Sequence, residues 1–123
     1  MTPIKYLITF QPDTDIYHAI EMLVNRAISG APVVSGKGEL VGILSEKDCL
    51  KVMLQMGMHG TPSGAVSEYM SADVKTIDQS QSVIDAVQAF QKSYFRRFPV
   101  TDGKKLVGLI TRRDMLRAIK EMQ

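Results

Sequence analysis

Two stretches of the chain carry apolar residues at helical spacing. Ile16, Ala19, Ile20, Leu23, Val24 and Ala27 fall at i, i+3, i+4 and i+7 intervals, which predicts an amphipathic helix. Val83, Ala86, Val87, Phe90 and Tyr94 repeat the pattern. Asp13 or Asp15 is available to cap the first helix, and Ser80 or Ser82 the second. After each helix comes a short apolar run that opens with proline, Pro32-Val33-Val34 and Pro99-Val100-Thr101. Each run ends in a turn signal, Ser35-Gly36-Lys37-Gly38 and Asp102-Gly103-Lys104. A second apolar run follows, Leu40-Val41-Gly42-Ile43-Leu44 and Leu106-Val107-Gly108-Leu109-Ile110, so strand, glycine turn and strand predict a β-hairpin. Further helices are predicted over 46–56 and 112–122. The unit reads strand, helix, strand, strand, helix, a mixed α/β (α+β) class.

The two readings are copies of one unit. Positions 9–37 align with 76–104 at an offset of 67, and 39–53 with 105–119 at an offset of 66, with only Gly38 skipped. Eleven aligned positions are identical, among them Pro32/Pro99, Gly42/Gly108 and Asp48/Asp114. The expected organisation is a first repeat over 1–56, a linker over 57–64 and a second repeat over 65–123. The linker holds three Gly and one Pro in eight residues, and residues 65–70 could form a short helix leading into the second copy. A unit of this size has a small core of its own, so the expected fold is a pseudo-twofold pair packed sheet to sheet.

Composition excludes more than it identifies. The chain has 123 residues, 45% hydrophobic and 23% charged, which fits a folded globular domain and not a disordered one. One cysteine, Cys49, leaves no internal disulfide. The apolar runs fall far short of the roughly 20 residues needed to span a bilayer. No secretory pattern opens the chain, so a cytoplasmic protein is expected. A net charge of +2 argues against a dedicated nucleic-acid or membrane binder.

The sharpest repeated string is Gly42-Ile43-Leu44-Ser45-Glu46-Lys47-Asp48, matched by Gly108-Leu109-Ile110-Thr111-Arg112-Arg113-Asp114. A hydroxyl followed three residues later by an acid is a capping-box signature, although that motif prefers Glu or Gln at the acid. The same groups can also hold a nucleotide. A helix start presents free amides and a partial positive charge that stabilise phosphate, and a hydroxyl adds a donor. A carboxylate one turn into the helix can accept from a vicinal diol. The glycine would let a ligand approach the strand backbone.

With these strings, the chain resembles a tandem pair of CBS domains, the arrangement called a Bateman module. The resemblance runs from about Met1 to Ile119. It is carried by Met1-Thr2-Pro3, Pro12-Asp13-Thr14, Ser29-Gly30-Ala31-Pro32-Val33-Val34 and positions 40–51, and in the second copy by Tyr69-Met70, Phe98-Pro99-Val100 and positions 106–114. It implies a regulatory module and not an enzyme, one that binds AMP, ADP, ATP or S-adenosylmethionine in clefts between the repeats. By resemblance, Ser45 and Thr111 face phosphate, and Asp48 and Asp114 take the ribose hydroxyls. Adenine is expected near Ile8, Thr9, Ala31, Thr76, Ile77 and Phe98. Arg97, two residues before Pro99, is the first candidate for a phosphate contact, since guanidinium suits phosphate, and Arg112 and Arg113 add positive potential. The first copy has Gly30 where the second has Arg97, so two unequal sites are expected. No cofactor is required beyond the regulatory adenine nucleotide. The expected partners are a second copy of the module and an effector protein.

Other residues offer less. Cys49 is expected to be a buried apolar residue without a base to activate it. His18 and His59 do not form a metal-ligand spacing and are read as surface or linker residues. Met53, Met56 and Met58 suit helix packing or an oligomer contact better than a soft metal. The competing functions are a dimerisation or docking module with no nucleotide, and a nucleic-acid binder through Arg96, Arg97, Arg112 and Arg113. The second would show a steep salt dependence.

Overall fold

The computed structural model describes residues 1–56 and 60–123. In chain order it holds β1 (Thr2–Pro3), α1 (Ile16–Asn25), β2 (Gly30–Val34), β3 (Leu40–Ser45), α2 (Glu46–Met56), β4 (Ile77–Asp78), α3 (Val83–Gln91), β5 (Arg97–Asp102), β6 (Lys105–Thr111) and α4 (Arg112–Glu121). Short 3-10 turns lie at Ile4–Tyr6 and Val66–Glu68. The second turn falls where a short helix was expected. Residues 57–59 lie outside the described residues, and with them His59, Met58 and the start of the expected linker.

The chain forms two compact units. The first is Ile8–Val74, and the second joins Met1–Leu7 to Lys75–Gln123. This grouping crosses the sequence repeats, because each unit takes its lead-in segment from a distant part of the chain. In the second unit the sheet order is β1-β6-β5-β4. The first unit repeats that order around the β2–β3 hairpin. Ser71 bridges Ile43 of β3 on one side, and Phe10 bridges Val33 of β2 on the other. The expected first strand of each copy is therefore one bridge in the first unit and two residues in the second.

Local chemistry explains the elements. The Asp15 side chain accepts from the His18 amide and caps α1, and Ser82 caps α3 by accepting from Asp85. These are the second of each pair of expected caps. Gly38 and Gly103 take φ of 82° and 62° in the hairpin turns, a region that favours glycine. Both hairpins slip register at the same place, between Val33 and Val34 and between Val100 and Thr101. The first core gathers Phe10, Ile16, Leu23, Val33, Leu44 and Val52. The second gathers Ile77, Ala86, Phe90, Phe98 and Met115, with the Phe90 and Phe98 rings edge to face at 4.8 Å.

Four residues of the predicted helical stripes lie outside the cores, among them Val83 at the start of α3, 43% exposed. Val24 is 71% exposed, on the side of α1 turned from its own core. Ala27 is exposed and lies beyond the end of α1, at φ 53°, where the Ile28 amide reaches back to the Leu23 carbonyl at 3.1 Å and closes the helix. Tyr94 lies past the end of α3, fully exposed. Cys49 is half-buried where full burial was expected, and burial, then Asp48 and Glu46, pushes its thiol up.

Candidate functional site

Each unit delivers the Gly-hydroxyl-Asp string to the same place, where the second hairpin strand runs directly into a helix. In the first unit, Ser45 ends β3 and α2 starts at Glu46. The Asp48 amide donates to Ser45 Oγ at 3.0 Å, and the Ser45 amide donates to Asp48 Oδ2 at 3.0 Å. In the second unit, the Asp114 amide donates to Thr111 Oγ1 at 3.1 Å, and the Thr111 amide donates to Asp114 Oδ2 at 2.8 Å. Both strings are thus complete capping boxes, with Asp in the place of the usual Glu.

The caps leave part of each helix start available. The Glu46 amide goes to the Ser29 carbonyl at 2.9 Å, and the Arg112 amide to the Arg96 carbonyl at 3.1 Å. The third amide of each helix goes to the capping hydroxyl. Among the described residues, these bonds leave the amides of Lys47 and Arg113, and the Ser45 and Thr111 hydroxyls accept without donating to another group. A small anion fits such a start, since amide, hydroxyl donor and helix dipole share one sign.

The two carboxylates differ in their further partners. Asp48 is 5% exposed. Its Oδ1 receives Lys51 Nζ at 2.9 Å, and Ser71 Oγ lies 3.2 Å from Oδ1 and 3.4 Å from Oδ2. Lys51 Nζ also donates to the Tyr69 carbonyl at 3.3 Å. Asp114 Oδ1 receives Arg117 at 3.3 Å and faces the Met1 amino group at 3.6 Å. Burial pushes both carboxyls up. The Lys51 ammonium with the Ser45 bonds, and the Thr111 bonds with the nearby cations, more than offset it, so both lie below the usual carboxylate range.

Lys51, Arg117 and Ser71 were not singled out from sequence. The first two carried a signal: both copies place a cation three residues after the Asp. Ser71 carried none, because it reaches Asp48 from 23 residues away.

The glycines serve a different purpose from the one expected. A Cβ on Gly42 would lie 2.6 Å from Met70 Sδ and 2.9 Å from the Ser71 carbonyl oxygen. One on Gly108 would lie 2.6 Å from the Thr2 carbonyl oxygen and 2.9 Å from Met1. The close approach is made by the chain's own neighbouring strand, not left open for a ligand.

The remaining candidates are spread around the hairpins. Arg97 pairs with Thr111 across β5 and β6, as Gly30 pairs with Ser45 across β2 and β3. Directly paired residues share a sheet face, so Arg97 stands beside the Thr111 site while the first unit has no side chain there. Arg112 Nε donates to the Phe95 carbonyl at 3.1 Å, and the side chain lines a hollow of about 470 Å³ between α3 and α4. Ala31, Ile77 and Phe98 are buried, Ile8 and Thr9 half-buried and Thr76 exposed. Among the described residues, no cluster of three His, Cys, Asp or Glu could hold a metal, and no helix is long and apolar enough to cross a membrane.

Comparison with known proteins matches this geometry to a family. The sequence model of the CBS domain matches twice, over residues 1–55 and 66–121. CBSX2, a chloroplastic CBS domain-containing protein of Arabidopsis thaliana, is 27% identical over 149 residues, covering all of this chain and 63% of that protein. Its crystal structure superimposes with a TM-score of 0.82 at 30% identity, over 99% of this chain and 92% of that one. Its complex with AMP gives 0.81 at 28% identity, over 99% and 93%. Inosine-5'-monophosphate dehydrogenase of Methanocaldococcus jannaschii is 30% identical over 98% of this chain, but only 23% of the enzyme is covered. The chain spans less than two thirds of the length of such relatives.

Proposed function

The chain belongs to the CBS domain family, and from that premise we propose that it is a regulatory module binding an adenine nucleotide at the start of α2 and at the start of α4. Phosphate sits at the Lys47 or Arg113 amide with the Ser45 or Thr111 hydroxyl. The ribose diol goes to Asp48 or Asp114, and adenine lies along the backbone near Ile8, Thr9 and Ala31 or near Thr76, Ile77 and Phe98. One observation carries the reading. Hydroxyl, helix start and low-pKa carboxylate are built twice in copies that share only eleven aligned residues. The AMP complex of CBSX2 supports the ligand class. Arg97 beside Thr111 favours AMP, ADP or ATP over S-adenosylmethionine, whose sulfonium is cationic. The module carries no reaction of its own; the dehydrogenase relative shares less than a quarter of its length with it.

Its output is a change of shape or of association. Val24, Leu50, Met53 and Leu54 of the first unit, and Ile84, Leu116 and Ile119 of the second, stand exposed on their helices. Apolar faces of this kind suit a homodimer or an effector protein. The lone cysteine suits a cytoplasmic setting.

A second reading, a dimerisation or docking module without nucleotide, is favoured by one observation. Both carboxylates already have partners within the chain. Isothermal titration calorimetry with AMP, ATP and S-adenosylmethionine separates the two readings. Saturable binding of AMP or ATP, weakened by about 1–3 kcal/mol in Asp114→Asn, supports the sensor. Silence from a folded protein supports the docking module.

A further inference from the structure

Resting on the nucleotide reading above, we propose that the two sites fill in a fixed order. The start of α4 takes the first nucleotide, and Ser71 with Lys51 holds Asp48 closed.

A ribose diol binds a carboxylate by placing one hydroxyl on each oxygen. At Asp48 that position is taken. Ser71 Oγ straddles the two oxygens at 3.2 and 3.4 Å, where the diol would sit. Ser71 is held there by its backbone, since its amide and carbonyl both bond Ile43 at 2.9 Å. Lys51 Nζ clamps the arrangement by bonding Asp48 Oδ1 and the Tyr69 carbonyl together. A nucleotide entering this site must first displace a tethered hydroxyl.

The second unit is the internal control. Thr2 pairs with Leu109 as Ser71 bridges Ile43, so Thr2 occupies the equivalent place. Among the described residues, no hydrogen bond joins Thr2 to Asp114. Asp114 Oδ2 holds the Thr111 amide as Asp48 Oδ2 holds that of Ser45, and its Oδ1 faces Arg117 at 3.3 Å and the Met1 amino group at 3.6 Å, the Arg117 side chain being 66% exposed against 51% for Lys51. The Asp114 side chain is 13% exposed against 7% for Asp48. The same order follows from charge. Arg97 stands opposite Thr111, whereas Gly30 stands opposite Ser45. The fold is built equally well without that arginine, so its presence is not a requirement of the hairpin.

The test is an AMP titration of the whole ¹⁵N-labelled chain, followed by amide shifts and by calorimetry. Amides of residues 111–114 should shift and saturate first, at one AMP per chain. Asp114→Asn should weaken that event about tenfold or more, the loss of a charged hydrogen bond. Ser71→Ala leaves the Ser45–Asp48 capping box intact. It should bring in a second AMP, with shifts at residues 45–48, at least about fivefold tighter than any second event in the parent. Lys51→Met should act in the same direction. Together they carry the test even if Asp114→Asn fails to fold. The order is overturned if both sets of amides titrate together, if residues 45–48 move first, or if folded Ser71→Ala binds its second AMP no better than the parent. Failure of the parent and of Ser71→Ala to bind any AMP is a different result. It would remove the nucleotide reading itself.

Discussion

Replacing Gly42 with alanine tests why the string begins with glycine. The new Cβ would meet the Ser71 carbonyl oxygen at 2.9 Å and Met70 Sδ at 2.6 Å. The methionine is flexible and can turn away. The carbonyl cannot, because it accepts from the Ile43 amide at 2.9 Å while the Ser71 amide donates to the Ile43 carbonyl at 2.9 Å. An unstrained contact needs several tenths of an ångström more, so the strand must lift. Lifting weakens two backbone hydrogen bonds at about 1 kcal/mol each, and moves the Ser71 hydroxyl off the buried Asp48 at about 1 kcal/mol more. Alanine returns about 0.4–1 kcal/mol by restricting the unfolded chain. The net expectation is a loss of about 2 kcal/mol, or roughly 8 °C in melting temperature for a chain of this size. Gly36→Ala is the control, since nothing lies within 4 Å of its Cβ and its φ is not positive. Urea and thermal unfolding without nucleotide should show Gly36→Ala within about 0.5 kcal/mol of the parent. If Gly42→Ala also falls within about 0.5 kcal/mol, the strand is not packed on this glycine and the argument fails. A variant of normal stability that had lost only AMP binding would restore the ligand-approach explanation.

Three further outcomes follow. Asp48 has a depressed pKa, so its contribution to stability is present above the unfolded value of 3.8 and is lost as pH falls through the lower folded value. Lys51→Met should move the onset of acid unfolding to higher pH in a melting series from pH 7 to 2; an unchanged profile would mean that Lys51 does not hold the carboxyl down. Ala27 sits at φ 53°, which costs a non-glycine residue about 1 kcal/mol, so Ala27→Gly should leave the protein as stable or raise its unfolding free energy in urea by up to about 1 kcal/mol. A clear loss of stability would refute the strain. Leu50→Glu and Leu116→Glu place charges on exposed apolar helix faces, and light scattering should find a smaller assembly than for the parent if those faces join copies.

The repeat, the hairpins and the helix starts were legible in the sequence because their causes are local. Asp15 and Ser82 cap helices within three residues of themselves, and Ser45–Asp48 and Thr111–Asp114 close capping boxes over the same span. The hairpin turns needed glycine at Gly38 and Gly103 for a backbone angle that the pattern alone foretells. Helix periodicity was a weaker guide. Val24 fits the stripe of α1 yet faces out, and Tyr94 fits that of α3 yet lies beyond its end, since spacing says which residues share a face and not where the helix stops.

Only the tertiary structure decided what surrounds the two carboxylates. It brought Met1–Leu7 to the second unit, across more than a hundred positions, to lie on Gly108. It brought Met70 and Ser71 onto Gly42 and Asp48 in the first. The capping box is the same at Asp48 and Asp114, although Glu46-Lys47 in one string stand where the other has Arg112-Arg113. The difference in their partners beyond the helix comes from segments distant in sequence, which pair with β3 and β6 by ordinary strand hydrogen bonds that any residue can make. The sequence already makes the two sites unequal in charge, with Arg97 in one copy and Gly30 in the other, and the long-range strand contacts add the difference at the carboxylates.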